Sequence, residues 1–399
     1  MIDLKAARSD ADRWRAALAR KGAADAFDAL LGADERWRAL IPQVDELRTR
    51  TNLKGKPTPD QLEQLKKAKE GLRRLEGELA EAESERDRVG LLVPNPPHDS
   101  VPEGATEDDA LEIRRVGDPS PSTGAKEHTE IGRFDMERAA RIAGSRFGYW
   151  IGDAALLALA MYRLALDRLV AKGFVPVLPP VLVREEALVG TGWLPSDDPN
   201  VYAVEGEDLY LAGTAEIPVG GLHLGELLQA DELPLRYVGF SPCFRSEAGA
   251  AGRDTRGMFR VHQFNKVEQF AFTRPEESWE EHERLLSNTE EIVAELEVPY
   301  RVVVLPTGDM SKASAKTYDV EIWFPSQDRY RETASISNTT DFQARRLGTR
   351  FRGEHGPEPV HTLNGTAVVD RMALAVLENF QGGVPDALQE FGAPAEIRS

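Results

Sequence analysis

At 399 residues the chain is long enough for two or three domains and a large core, and its 41% hydrophobic and 29% charged residues describe a soluble globular protein with an unusually charged portion. A formal net charge of -18 excludes a protein that is basic throughout and clings to any nucleic acid, while leaving room for a local basic surface. One cysteine, Cys243, excludes an intrachain disulfide and a Cys-based zinc site; with no apolar h-region at the start and no run of ~18 apolar residues, the expected compartment is the cytoplasm.

Residues 1–92 carry no strand signals and read as helix apart from two breaks. From Asp34 onward, Trp37, Leu40, Val44, Leu47 and Thr51 recur at alternating three- and four-residue spacing. After a turn at 55–59 the spacing returns in Leu65, Ala68, Leu72, Leu75, Leu79 and Ala82. Two helices with matching narrow seams, charged flanks and a short connection predict an antiparallel coiled-coil hairpin. It is either a solvent-exposed arm, the reading preferred here, or a bundle segment buried against the rest of the protein. Lys54, Lys56, Lys66, Lys67, Lys69, Arg73 and Arg74 gather near its tip against Asp60, Glu63 and Glu70. A basic tip on an acidic protein suits an RNA backbone.

The Pro- and Gly-punctuated stretch 93–109 reads as a linker, and from 110 to 399 aromatic residues, Gly and β-branched runs point to a catalytic domain. Residues 149–172 predict an apolar helix with Leu156, Leu157, Leu164 and Leu166, ending at Gly173. It leads into FVPVLPPVLV, where Pro179 and Pro180 suit only a strand edge or a bulge; this segment is either a subunit interface or core. Thr214 and Glu216 bracket Ala215 at a strand-to-helix junction. Backbone N–H groups and a carboxylate there can hold the charged ends of an amino acid, or form an ordinary capping box.

Residues 244–268, FRSEAGAAGRDTRGMFRVHQFNKVE, predict a hairpin with a functional loop. Arg245, Arg253, Arg256 and Arg260 place four guanidinium groups in a short span, which suits polyphosphate. Phe264 offers a flat face to a base and Glu247 an acceptor to an exocyclic amine. The same density of Arg and Glu also describes a solvated face with ordinary ion pairs. Residues 276–296 form an acidic amphipathic helix, and 298–310 return to strand. KASAKTYDVEIW (312–323) and RYRETASIS (329–337) then alternate as adjacent antiparallel strands. Their Asp319, Glu321, Glu332 and Ser335 either hold Mg²⁺ or pair with Arg329, Arg331, Arg345 and Arg346. In 361–381 a turn at Asn364 and Gly365 is expected, then Thr366 and a helix with Met372, Leu374, Val376 and Leu377. Arg371 near the start of that helix opposes the dipole, which points to a functional role or an anionic neighbour.

Taken together, these stretches resemble the seryl-tRNA synthetases, a class II aminoacyl-tRNA synthetase family, over essentially the whole chain. GFVPVLPPVLV resembles the family's first motif, with Pro180 at the marker proline. FRSEAG with the HQF and KVE segments resembles the second, and LNGT followed by Arg371 the third. TAE, TGDM, YRE and TTDFQARR match further signatures. The implied fold is α+β, an antiparallel sheet flanked by helices, preceded by the coiled-coil arm.

The resemblance also implies roles. Thr214, Ala215, Glu216, Glu268, Asn364 and Thr366 would bind L-serine, with Glu268 meeting its hydroxyl or ammonium. Arg245 would bridge the serine carboxylate and the ATP α-phosphate, next to Ser246 and with Glu247 on the adenine amino group. Adenine would lie between Phe264 and Arg371 beside Val261, Arg256 would hold the γ-phosphate, and Thr333 and Ala334 would complete the nucleotide site. Glu332 and Ser335 would ligate Mg²⁺ and, with Arg245 and Arg371, serve the reaction. The implied partners are tRNA(Ser), with tRNA(Sec) where present, L-serine and a second copy in a homodimer, with neither membrane nor DNA.

Asn265 stands where the family usually has Asp, Ala334 replaces a common hydroxyl residue, Ile336 a frequent Cys, and AVVDR after LNGT is unusual. These departures leave open a duplicated synthetase serving antibiotic biosynthesis or self-resistance, or a synthetase-like enzyme that loads a carrier.

Overall fold

The computed structural model describes residues 1–52, 58–196, 200–247 and 257–398, and its contacts divide the chain into two compact units, Met1–Pro96 and Pro97–Ser399. The first unit holds α1 (Leu4–Ser9), α2 (Ala11–Ala19), α3 (Ala24–Thr51) and α4 (Pro59–Leu92). The last two pack along the expected seam, with Val44 and Ala82 buried and Trp37, Leu40, Leu47, Leu72, Leu75 and Leu79 half-buried. Their cross-contacts run in opposite chain directions, so the pair is antiparallel. Arg48 meets Glu76 at 3.0 Å and the Arg86 guanidinium lies 4.0 Å above the Trp37 ring, while Leu30 reaches Gly90 at the base. Helix α4 starts where Pro59 occupies its first turn and Thr58 and Gln61 cap each other reciprocally. Lys54 and Lys56 fall outside the described residues; Lys66, Lys67, Lys69, Arg73 and Arg74 are exposed.

The boundary between the units falls inside the stretch expected as a linker. Residues beyond Pro97 are tied into the second unit: the His98 N–H donates to the Ala315 carbonyl at 2.8 Å, the His98 ring lies 4.4 Å from Trp279, and Val101 packs with Val303, Leu305 and Met310.

The second unit is built on eight strands: β1 (Leu111–Val116), β2 (Val175–Val177), β3 (Leu235–Phe244), β4 (Gln263–Thr273), β5 (Tyr300–Val304), β6 (Lys316–Phe324), β7 (Arg329–Asn338) and β8 (His361–Val369). They form one sheet in the order β1-β5-β6-β7-β8-β4-β3-β2. Every neighbouring pair is antiparallel except β2 and β3. Helices α5 (Asp153–Ala171), α6 (Ser278–Glu295) and α7 (Asp370–Phe380) contribute to a single core with one face of this sheet. Along β6 the period of two is plain: Tyr318, Val320 and Ile322 join that core, leaving Asp319 and Glu321 for the opposite face.

Two β-bulges break the alternation where the site is built. Between β4 and β8, Val267 opposes Val368 but Glu268 opposes Thr366, and between β6 and β7, Val320 opposes Ala334 but Glu321 opposes Glu332. The extra residues, Ala367 and Thr333, re-aim the side chains beside them.

Two expectations are corrected. Tyr149–Ile151 is a short strand, and the apolar helix begins only at Asp153, after Gly152 turns the chain at φ 62°. Asn364 and Gly365 make no turn, because β8 runs through them, paired with Phe270 and Gln269 on one side and with Ser337 and Ile336 on the other. A Cβ on Gly365 would lie 3.2 Å from two Ile336 carbons, so glycine serves close packing at that position. No helix among the described residues is long and apolar enough to cross a membrane.

Candidate active site

The β3–β4 hairpin, β7, β8 and the start of α7 enclose a cleft whose floor includes Phe259 and Val261 of the main core. Its lining includes Arg245, Glu247, Val261, Phe264, Lys266, Glu332, Thr366 and Arg371. Arg245 is aimed by a hydrogen bond from Nε to the Gly213 carbonyl at 3.2 Å, and its guanidinium sits 5.3 Å from the Phe264 ring and 5.6 Å from Trp193. Glu247 has a left-handed backbone, φ 52°, which a non-glycine residue keeps only where its surroundings enforce it. Here Asn200 Oδ1 accepts from both the Glu247 N–H and Ser246 Oγ, and Arg260 pairs with the Glu247 carboxylate. Ser246 therefore turns its side chain to Asn200. Arg256, expected on the γ-phosphate, lies outside the described residues.

The anionic neighbour expected for Arg371 is Glu332. Arg371 Nη1 donates to the Glu332 carbonyl at 3.2 Å and to its carboxylate at 3.3 Å, Nε donates to the Phe259 carbonyl at 3.1 Å, and the guanidinium covers the Phe259 ring at 4.7 Å. Burial by itself would raise the Glu332 carboxyl, but the Arg371 and Arg245 guanidinium groups and the Lys266 ammonium outweigh it and hold Glu332 below the usual carboxylate range. Its side chain is half exposed to the cleft, so an ionised carboxylate stands at the opening.

Ser335 Oγ donates to Glu332 Oε1 at 3.4 Å, and Asp319 opposes Ser335 across the strand pair. Burial, with the nearby Glu332 charge, pushes the Asp319 carboxyl well above its ordinary value, and its Oδ1 accepts no hydrogen bond. This donor set is all oxygen and includes an orphaned buried acceptor, which fits a hard cation such as Mg²⁺. Among the described residues no cluster of three or more His, Cys, Asp or Glu side chains could hold an ion alone. Thr333 and Ala334 offer backbone only: Thr333 Oγ1 donates to the Val320 carbonyl at 3.0 Å, and the Ala334 methyl belongs to the core. The same burial explains a methyl at 334 and Ile336 beside Gly365.

Behind the cleft lies a second cluster, reached through Lys266. Thr214, 1% exposed, accepts at Oγ1 from Lys266 Nζ at 3.0 Å and from the Glu216 N–H at 3.3 Å. Ala215 is buried at the start of the short helix Glu216–Gly220. Glu216 Oε1 accepts from Asn364 Nδ2 at 2.9 Å and from Gln343 Nε2 at 2.8 Å. Glu268, 1% exposed, pairs through Oε2 with Lys266, while its buried Oε1 accepts no hydrogen bond. Burial and the Glu268 charge push Glu216 up to about 7; burial also raises Glu268, with Lys266 opposing. Two carboxylates, Glu268 buried and Glu216 half-buried, near one ammonium leave the cluster electron-rich, which suits a cationic or hydrogen-bond-donating group.

Of the residues expected at the site, Arg245, Glu247, Val261, Phe264, Glu332, Thr333, Thr366 and Arg371 line the one cleft, and Thr214, Glu216, Glu268 and Asn364 form the cluster behind it. Lys266, Trp193, Gln343, Asn200 and Phe259 were given no role from the sequence, and Arg260, grouped there with the phosphate-binding arginines, pairs instead with Glu247. Only Lys266, two residues before Glu268 on the same strand face, carried a local signal. A wider groove lined by Lys172, Arg236, Glu283 and Asn288 is filled at its rim by mutual pairs such as Lys172 with Asn288 at 2.8 Å.

A family profile described as "Seryl-tRNA synthetase N-terminal domain" matches residues 1–97, and one described as "tRNA synthetase class II core domain (G, H, P, S and T)" matches residues 201–380. A serine–tRNA ligase of Mycolicibacterium vanbaalenii is 45% identical over 395 residues, covering 96% of this chain and 94% of its own. The crystal structure of seryl-tRNA synthetase from Pyrococcus horikoshii complexed with ATP superposes with a TM-score of 0.93 at 40% identity, covering 100% of this chain and 99% of that one. A cytoplasmic serine–tRNA ligase from Naegleria fowleri in complex with AMP follows at a TM-score of 0.86 and 34% identity, covering 96% and 94%. With both units matched, the fold shared end to end and the oxygen-rich cleft in place, the chain belongs to the seryl-tRNA synthetase family.

Proposed function

We propose that this chain activates L-serine with ATP, giving seryl-adenylate and pyrophosphate, and then transfers the seryl group to the 3′ end of tRNA(Ser), and of tRNA(Sec) where present. The observation that carries the reading is the position of Arg245 at the cleft, over Phe264, with the carboxylates of half-buried Glu216 and buried Glu268 behind Lys266. Arg245 is thereby suited to pair with a carboxylate and a phosphate at once. A serine carboxylate is already ionised at pH 7 and needs no general base. Its oxygen forms a bond to the α-phosphorus as the bond to the β-phosphate oxygen breaks and pyrophosphate leaves. A terminal ribose hydroxyl of the tRNA then attacks the seryl carbonyl carbon and releases AMP. Positioning and charge neutralisation carry the first step.

In this reading Thr214, Ala215, Glu216, Glu268, Asn364 and Thr366 hold serine; Glu247, Phe264 and Arg371 hold the adenine of ATP, with Ser246, Val261, Thr333 and Ala334 completing the nucleotide site; and Arg256 holds the γ-phosphate. Glu332 and Ser335 are the residues that would hold Mg²⁺, which when bound supplies charge neutralisation on the phosphates. Discrimination against alanine follows from buried groups that a missing hydroxyl leaves unpaired.

The helical hairpin of α3 and α4, with exposed basic residues toward its tip, supports a coiled-coil arm that contacts tRNA backbone. Exposed Leu156, Leu159, Val170, Val175 and Leu178 on α5 and the segment after it support a homodimer through the first motif. The buried free thiol of Cys243 and an unpaired cysteine count suit the cytoplasm. A carrier-loading enzyme is expected to lack the tRNA-reading unit, which this chain keeps. ATP–pyrophosphate exchange across a panel of amino acids tests the proposal: serine alone should support rapid exchange, and exchange with another amino acid but not serine would sink it.

A further inference from the structure

Lys266 occupies the junction between the nucleotide cleft and the buried carboxylate cluster. It lines the cleft, yet its side chain is only 11% exposed. Nζ donates to Glu268 Oε2 and, at 3.0 Å, to Thr214 Oγ1, so both partners belong to the serine end. Glu268 has two oxygens in very different circumstances: Oε2 is taken by Lys266, with the Thr214 hydroxyl more distant at 3.5 Å, and Oε1 is buried with no hydrogen-bond partner. Across the β4–β8 bulge Glu268 opposes Thr366, which lines the cleft, so the carboxylate and that threonine share a sheet face.

A buried carboxylate left to itself takes up a proton, becomes a donor as well as an acceptor, and rotates freely between equivalent oxygens. An ammonium fixed on one oxygen prevents both outcomes. We infer that Lys266 is a specificity-determining positioning residue: by holding Glu268 through Oε2 it leaves Oε1 as the single acceptor offered to the amino-acid substrate. Serine brings its ammonium and its hydroxyl to that end of the pocket; alanine brings only the ammonium. An acceptor fixed in place and kept ionised rewards the hydroxyl, whereas a mobile, protonated one satisfies itself by donating and discriminates less. The inference rests on the serine-activating reading above and adds a residue and a selectivity role to it.

The test uses the full chain and compares Lys266→Met and Lys266→Arg with wild type in ATP–pyrophosphate exchange, titrating serine, alanine and ATP separately. For Lys266→Met the serine KM is expected to rise by at least about 30-fold, the serine-over-alanine ratio of kcat/KM to fall by at least about tenfold, and the ATP KM to stay within about threefold. Lys266→Arg, which keeps a charge on Glu268, is expected to restore most of the selectivity. Serine KM and selectivity within about threefold of wild type overturn the inference. So does a loss confined to ATP KM and kcat, which would assign Lys266 to the phosphates. Should the Met variant fail to fold, Lys266→Gln, which keeps a donor without its charge, carries the same comparison. Wild-type enzyme that shows no serine-dependent exchange removes the underlying reading; wild type that works beside an unaltered Lys266 variant removes this inference alone.

Discussion

Replacing Glu268 by Gln preserves the size of the side chain and removes its charge, at a position that is 1% exposed. The variant loses the ion pair with Lys266, and the oxygen that now accepts no hydrogen bond becomes part of an amide that is free to present its NH₂ instead. A hydrogen bond to a charged group is worth about 1.5–3 kcal/mol, so removing one charge-assisted contact to the substrate should raise the serine KM by roughly 10- to 150-fold. Phe264, Glu247 and Arg371 keep their own partners, so the ATP KM should stay within about threefold. The assay is pyrophosphate exchange with serine titrated at saturating ATP and then ATP at saturating serine, with a urea melt to confirm folding. An unchanged serine KM, or equal rises in both constants, refutes the assignment of Glu268 to the amino acid.

Deleting residues 53–74 shortens the helical arm without touching the cleft; exchange should persist while charging of tRNA falls to background, and charging that survives rejects the RNA role of the arm. Asp370, 5% exposed, accepts from the Tyr162 hydroxyl and, at 3.1 Å, from the Asn265 N–H, and burial raises its carboxyl from 3.8 to about 6. The folded state therefore holds this proton more tightly than the unfolded chain, so the contribution is present below about pH 4 and is lost as pH rises through about 6, a change of about 3 kcal/mol. Asp370→Asn should gain on wild type by that amount in urea melts between pH 4 and pH 7, and a difference that does not change with pH contradicts the reasoning. Gly365→Ala should destabilise by about 1–3 kcal/mol, since its Cβ would press on the fully buried Ile336 at 3.2 Å; an unshifted melting temperature would show that β8 can move aside.

Periodicity carried much of the architecture. The seam from Trp37 to Leu47 against Leu72 to Ala82, and the split of β6 into core and site faces, follow from spacing alone because each element meets one apolar surface. The helix expected from Tyr149 and the turn expected at Asn364 and Gly365 failed for a shared reason: local turn and helix signals were overridden by strand pairing that only the assembled sheet supplies. The bulges at Ala367 and Thr333 were invisible too, since a single extra residue changes which face Glu268 and Glu332 present without leaving a compositional trace. The place of the cleft was legible where motifs were contiguous, as in Arg245 and Glu247, which both line it. It was not legible where partners arrive from distant elements, as with Gln343 on Glu216, Asn200 beneath Glu247 and Trp193 beneath Arg245.

The most direct measurement is transfer of labelled serine to purified tRNA(Ser) by the full-length chain in the presence of ATP and Mg²⁺, with alanine and threonine in parallel. Stoichiometric, ATP-dependent formation of seryl-tRNA(Ser), absent with the other two amino acids, is the result predicted. Adenylate formation with serine but no transfer to any tRNA, or efficient charging with a different amino acid, would contradict the account.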